Sequence, residues 1–195
     1  MKNPIHEFED ALGLPKDFYA KLIDEDDWSF IIKMSALFEA STTNALSKTL
    51  SKNLEENFSF LEYARPRTGK IAFLKNMNIF NQEQSKFLIS LAEIRNTIVH
   101  KIGNVNFSFE EYISSLNPKQ KKNFITTYGI GLTGSKLMYQ GKTVLLNDFI
   151  LKNPKVTVWL SAREIFKSLY LTVHAKKLPE GNFLNDMSLT YPIVI

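Results

Sequence analysis

A chain of 195 residues with 44% hydrophobic and 23% charged residues is long enough to bury a sizeable core, and reads as one domain over 1–195 with its core from about 26 to 177. It has no cysteine and only three histidines, His6, His100 and His174, which excludes disulfides and thiolate chemistry and speaks against a zinc site; no metal and no cofactor is expected. The net charge of +4 is uneven, with eleven acids and six bases in residues 1–60 but nine acids and eighteen bases in residues 61–195. That balance permits nucleic-acid binding and fits equally well a solvated surface of dispersed charges. The first ten residues mix charges rather than running from basic to apolar, and the apolar stretch 156–173 carries Arg163, Glu164 and Lys167. A cytoplasmic protein with no membrane contact is therefore expected.

In chain order, a short lead-in with Pro4 and Gly13-Leu14-Pro15 ends in an amphipathic turn around Phe18 and Leu22. Asp24-Glu25-Asp26-Asp27 then offers an N-cap and negative charge for a long helix. Ile31, Met34, Phe38, Thr42, Ala45, Leu46, Leu50 and Leu54 recur at helical spacing and carry that helix to about Glu56. Arg65-Pro66-Arg67-Thr68-Gly69 is a break, and a shorter helix is predicted from Lys70 to Phe80. Asn81 with Gln84 forms a near capping box, from which Phe87, Leu91, Ile94, Ile98 and Ile102 make one stripe. His100 and Lys101 fall in its predicted last turn and Gly103 just beyond. An aromatic-rich connection and helix follow over 104–117, and Pro118 opens a helix to Tyr128. After a glycine-rich loop at 129–134 the chain reads as irregular through Leu151. Pro154 then begins a helix repeating Trp159, Ala162, Ile165 or Phe166, Leu169 and Val173. The expectation is an all-α helical bundle of four to five main helices, three of them long.

Arg95-Asn96-Thr97-Ile98-Val99-His100 supplies a permanent cation, a small polar residue after it, and an imidazole five positions on. A guanidinium holds phosphate, and an imidazole takes and gives protons near neutral pH. On a helix, Arg95 lies roughly 60° from the centre of the apolar stripe and His100 roughly 140° from Arg95. One helix alone therefore does not converge them, whereas two such helices across a two-fold axis can share them in a cleft. The structural alternatives are a salt bridge from Arg95 to Glu39 or Glu62, a solvent-facing Asn96, and His100 on the helix dipole.

The R-N-x-x-x-H run resembles the signature of the HEPN superfamily, many of whose members are dimeric helical ribonucleases. The resemblance covers roughly Asp26 to Lys177, with its specific residues Arg95, Asn96 and His100. The segment Phe107-Ser108-Phe109-Glu110-Glu111 looks most like the mannitol-repressor-type branch, although Ile98 and Val99 stand where such relatives often have an aromatic and an alanine. The resemblance implies a HEPN-like bundle dimerising through the motif helix. It also implies metal-independent endoribonuclease action by 2′-OH transesterification, with His100 as base and acid, Arg95 stabilising the phosphorane and Asn96 positioning. The family further implies a toxin of a toxin–antitoxin pair or a phage-defence effector, with RNA, a second copy and an antitoxin or regulatory protein as partners. The alternative it leaves open is a non-catalytic transcriptional regulator or dimeric scaffold.

Arg65, Arg67 and Lys70 form the one compact basic cluster, near Tyr63 and Phe73; with Lys101 they are candidate RNA-backbone contacts, or simply an exposed turn. Gly129-Ile130-Gly131-Leu132-Thr133-Gly134 matches G-x-G-x-x-G in form. It follows a lysine-rich predicted helix rather than a strand, so an interhelical loop is expected there. His174, Lys176 and Lys177 read as a basic helix end.

Overall fold

The computed structural model describes residues 4–100 and 102–175, and these are mostly helical. The lead-in is more structured than expected: α1 (Pro4–Ala11) lies on the C-terminal helix, and α2 (Phe18–Lys21) follows. Glu9 is buried between them because its carboxylate accepts from the backbone N–H of Asp17 at 3.2 Å and of Tyr19 at 2.8 Å. A buried carboxylate satisfied in this way fixes the lead-in.

The long helix α3 (Asp27–Thr49) starts where the acidic run predicts, with Asp26 accepting from Ser29 N–H at 2.9 Å. Those hydrogen bonds hold the Asp26 carboxyl below its ordinary range. The helix ends earlier than the apolar repeat suggests. Ser51 is extended, and a 3-10 turn (Lys52–Leu54) precedes α4 (Glu55–Ser59). Leu50 and Leu54 stay substantially exposed because no described element covers them.

The helix α5 (Lys70–Asn76) stops before Phe80, with Asn78 in the left-handed region. Asn81 then builds a complete capping box with Gln84 on α6 (Gln82–Val99). Phe87, Leu91, Ile94 and Ile98 are buried as their spacing predicts. After a 3-10 turn (Ile102–Asn106) come α7 (Phe109–Ser115) and α8 (Pro118–Tyr128), the latter capped by Asn117. The stretch read as irregular holds a hairpin, β1 (Lys136–Tyr139) paired antiparallel with β2 (Lys142–Leu145), and then α9 (Leu146–Lys152). Gln140 and Gly141 both have positive φ, the backbone a tight two-residue hairpin turn requires.

The last described helix, α10 (Pro154–Ala175), packs on α3, which in turn packs on α6. Phe166 stacks on Phe38 with centroids 3.9 Å apart, and Tyr19 stacks on Trp159 at 5.3 Å. Trp159 Nε1–H donates to the Tyr19 carbonyl while the Tyr19 hydroxyl donates to that of Trp159. Asp27 joins three helices: it accepts from Phe109 N–H on α7 at 2.8 Å and pairs with Lys155 on α10 at 3.5 Å. These ties set α6 with one side in the core and its C-terminal end at the surface. No described helix is long and apolar enough to cross a membrane.

Candidate nucleic-acid interface

Arg95, Asn96 and His100 are all exposed at the C-terminal end of α6. Arg95 Nη1 donates to Asn96 Oδ1 at 3.0 Å, so the first two are brought together. The acids considered as structural partners are engaged elsewhere: Glu39 with Lys70 and Glu62 with Arg65, each at 3.3 Å. Among the described residues Arg95 makes no ion pair. The helix ends sooner than predicted, with His100 as its C-cap. Asn104 Nδ2 donates to the Thr97 carbonyl at 2.9 Å, which satisfies an end carbonyl from the following 3-10 turn rather than through Gly103. His100 lies one turn beyond Asn96, roughly 40° around the helix, and roughly 140° from Arg95. Val99, between them in sequence, is 43% exposed, and Val105 nearby in the chain 51%. The end of α6 thus offers charge, an imidazole and bare apolar surface.

A groove of about 600 Å³ runs between α5 and α6. Arg65 and Arg67 line it from the 65–69 turn, Lys75 from α5 and Lys86 from α6, with Glu93 also on its wall. Close backbone approach fixes the turn. A Cβ on Gly69 would stand 2.5 Å from the Arg65 nitrogen and 2.8 Å from the Glu62 carbonyl oxygen. Lys70 N–H also donates to that same carbonyl at 3.0 Å. The Arg65–Glu62 pair is exposed on both sides and holds Arg65 weakly. Lys75 and Lys86 were not singled out by sequence, since each is an isolated helical lysine until α5 packs against α6.

Lys70 is not part of the basic cluster its sequence position suggests. It is 2% exposed, its ammonium lies on Glu39, and it does not join Arg65 and Arg67 in the groove. Its position on the first turn of α5 turns the side chain inward toward α3. Glu39→Gln should therefore destabilise the protein by about 1–3 kcal/mol in urea unfolding, by leaving the Lys70 cation without its counter-charge. The value is set below that of a fully buried pair because Glu39 is 46% exposed. An unchanged midpoint would show that Lys70 finds water instead. Lys101, His174, Lys176 and Lys177 lie outside the residues whose side chains are described.

On the other side of α6, a second cleft of about 650 Å³ opens against the 3-10 turn, α7 and α8. Phe107, Tyr112, Phe124 and Tyr128 give it aromatic walls, with Phe124 and Tyr128 at 4.6 Å and Tyr112 and Phe124 at 6.3 Å. Two carboxylates line it, Glu93 and Glu111, and among its described lining residues there is no Lys, Arg or His. Burial pushes the Tyr128 phenol well up, with Tyr112 and Glu93 adding to it, and burial with Glu93 raises Tyr112. Both phenols stay neutral donors at ordinary pH. The two clefts meet at Ser90 and Glu93. Lys86 of the basic groove donates to Asn123 of the aromatic cleft at 2.7 Å.

The glycine-rich loop follows helix α8 and precedes an antiparallel hairpin, so it is not part of a strand–helix–strand unit. Gly131 sits against α10, where a Cβ would stand 2.9 Å from Glu164 Cγ. Among the described residues, no three His, Asp or Glu side chains converge to hold a metal ion. No family model, no curated protein and no solved structure matches this chain.

Proposed function

We propose that the protein is a metal-independent endoribonuclease of HEPN type, working as a homodimer in which two α6 ends meet. The observation that carries the reading is the exposed Arg95–Asn96 pair, with Arg95 free of any acid among the described residues, one turn from an exposed His100. An arginine kept only for structure would sit on a carboxylate, and the two nearest in expectation are engaged elsewhere. In the dimer His100 accepts the proton of a ribose 2′-OH, whose oxygen attacks the adjacent phosphorus. The bond from phosphorus to the 5′-oxygen breaks and that oxygen receives a proton from an imidazolium. Arg95 holds the charge that grows on the phosphorane oxygens, and Asn96 orients Arg95 through their hydrogen bond. Arg65, Arg67, Lys75 and Lys86 carry the flanking phosphates of single-stranded RNA along the basic groove. A toxin or phage-defence role, with an antitoxin or regulatory partner, comes from the HEPN resemblance.

The test is purified protein with end-labelled RNA in EDTA. Cleavage leaving 2′,3′-cyclic phosphate and 5′-hydroxyl ends is expected. A second reading, a non-catalytic HEPN-like regulator or scaffold, draws on the fact that neither Arg95 nor His100 lines either of the two clefts beside α6. A folded dimer that leaves RNA intact would decide for it.

A further inference from the structure

The aromatic cleft is chemically unlike the groove it adjoins. It presents two carboxylates, four aromatic rings and no described cation, whereas the groove presents four cations beside the one shared carboxylate, Glu93. Phosphate is repelled from the first and drawn to the second. Two hydroxyls on the cleft wall, Thr127 Oγ1 and Tyr128 OH, belong to residues only 2% exposed and have no hydrogen-bond partner. Buried polar groups without partners are rare, and these two oxygens lie just behind the cleft wall, sealed from solvent. Among the described residues, Glu93 and Glu111 likewise enter no ion pair. The occupant that fits is neutral, flat and rich in donors.

Resting on the RNA reading above, we propose that this cleft is a base-reading pocket for single-stranded RNA selective for guanine. One unstacked base enters between the 3-10 turn, α7 and α8 while its backbone leaves along the basic groove past Ser90 and Glu93. Guanine is the base whose pairing edge offers two adjacent donors, N1–H and the exocyclic amine, and a carboxylate accepts both at once. Glu93 or Glu111 reads that edge, and the half-buried rings of Phe107 and Tyr112 supply apolar contact for the base.

The test measures fluorescence anisotropy of labelled uridine-rich 12-mers, with and without a single guanosine, on His100→Ala protein so that the strand is not cut. The guanosine strand should bind about tenfold tighter. Substituting inosine, which lacks the exocyclic amine, should remove most of that preference. Adding Glu93→Gln and Glu111→Gln should abolish the difference between the two strands, while the loss of negative charge beside the groove tightens both alike. Combining Arg67→Gln, Lys75→Gln and Lys86→Gln should instead weaken both strands alike and flatten the salt dependence. Equal binding of the two strands, a preference for another base, or a preference that survives the double glutamate substitution overturns the pocket and leaves the nuclease reading standing. No RNA binding at all overturns both. Guanosine preference in a protein that never cuts RNA supports the pocket and removes only the nuclease.

Discussion

Mixing Arg95→Ala protein with His100→Ala protein should restore RNA cleavage to about a quarter of the wild-type rate if the site is shared across a two-fold axis. Each variant alone should have lost roughly a thousandfold, the general acid–base and charge-stabilisation contributions being of that order. The reasoning is geometric. Arg95 and His100 are both exposed but roughly 140° apart around one helix. On one straight helix their side chains leave from different faces, which disfavours a shared phosphate within one subunit. In the proposed dimer the Arg95 of one copy would meet the His100 of the other across the two-fold axis, giving two composite sites. Random exchange makes half of the dimers mixed, and each mixed dimer keeps one site of two intact. Cleavage that stays absent after exchange would mean that Arg95 and His100 act from the same subunit or that no dimer forms. A loss confined to one substitution would remove the other residue from the mechanism. The apolar surface left by Val99 and Val105 near the motif is the area such a contact would cover, so Val99→Asp offers an independent check on dimerisation by light scattering.

Legibility followed the range over which each signal acts. The capping box of Asn81 with Gln84 is local chemistry, three residues apart, and it is present as read. The stripe Phe87–Leu91–Ile94–Ile98 repeats within one helix and is buried as read. The end of α3 is not legible because Leu50 and Leu54 keep the period, while burial depends on whether another element arrives to cover them. The hairpin escaped because each strand has only four residues, too few for alternation to stand out. Its turn pair Gln140-Gly141 was the available clue. At the site, the residue types of the motif were visible because they lie within six positions of one another. The groove was half visible: Arg65 and Arg67 share a turn, but Lys75 and Lys86 join them only through packing of α5 on α6. Lys70 was misplaced for the same reason, since its partner Glu39 is on α3. Thr127 and Tyr128, ordinary helix residues in the sequence, stand out only as buried hydroxyls without partners.

Phe166→Ala should cost about 3–5 kcal/mol and lower the melting temperature by roughly 10 °C or more. Phe166 is fully buried at the middle of α10. Its ring stacks on Phe38 of α3 at 3.9 Å, meets Phe8 of α1 at 4.8 Å, and takes Tyr19 of α2 edge-on at 5.6 Å. Removing it empties the point where four helices touch, and the surrounding rings are too rigid to collapse into the space. Total stabilities of single domains are about 5–15 kcal/mol, so the loss approaches the margin that keeps the chain folded. Phe73→Ala, at a position 40% exposed on α5, is the matched control and should cost under about 1 kcal/mol. Because Phe166 belongs to the core while the motif stands at the exposed end of α6, RNA binding measured well below the new melting temperature should be retained. A cost near that of the control would mean that α10 does not pack on α3 through this ring. A loss of RNA binding without a loss of stability would instead place Phe166 in the route by which the core sets the motif end of α6.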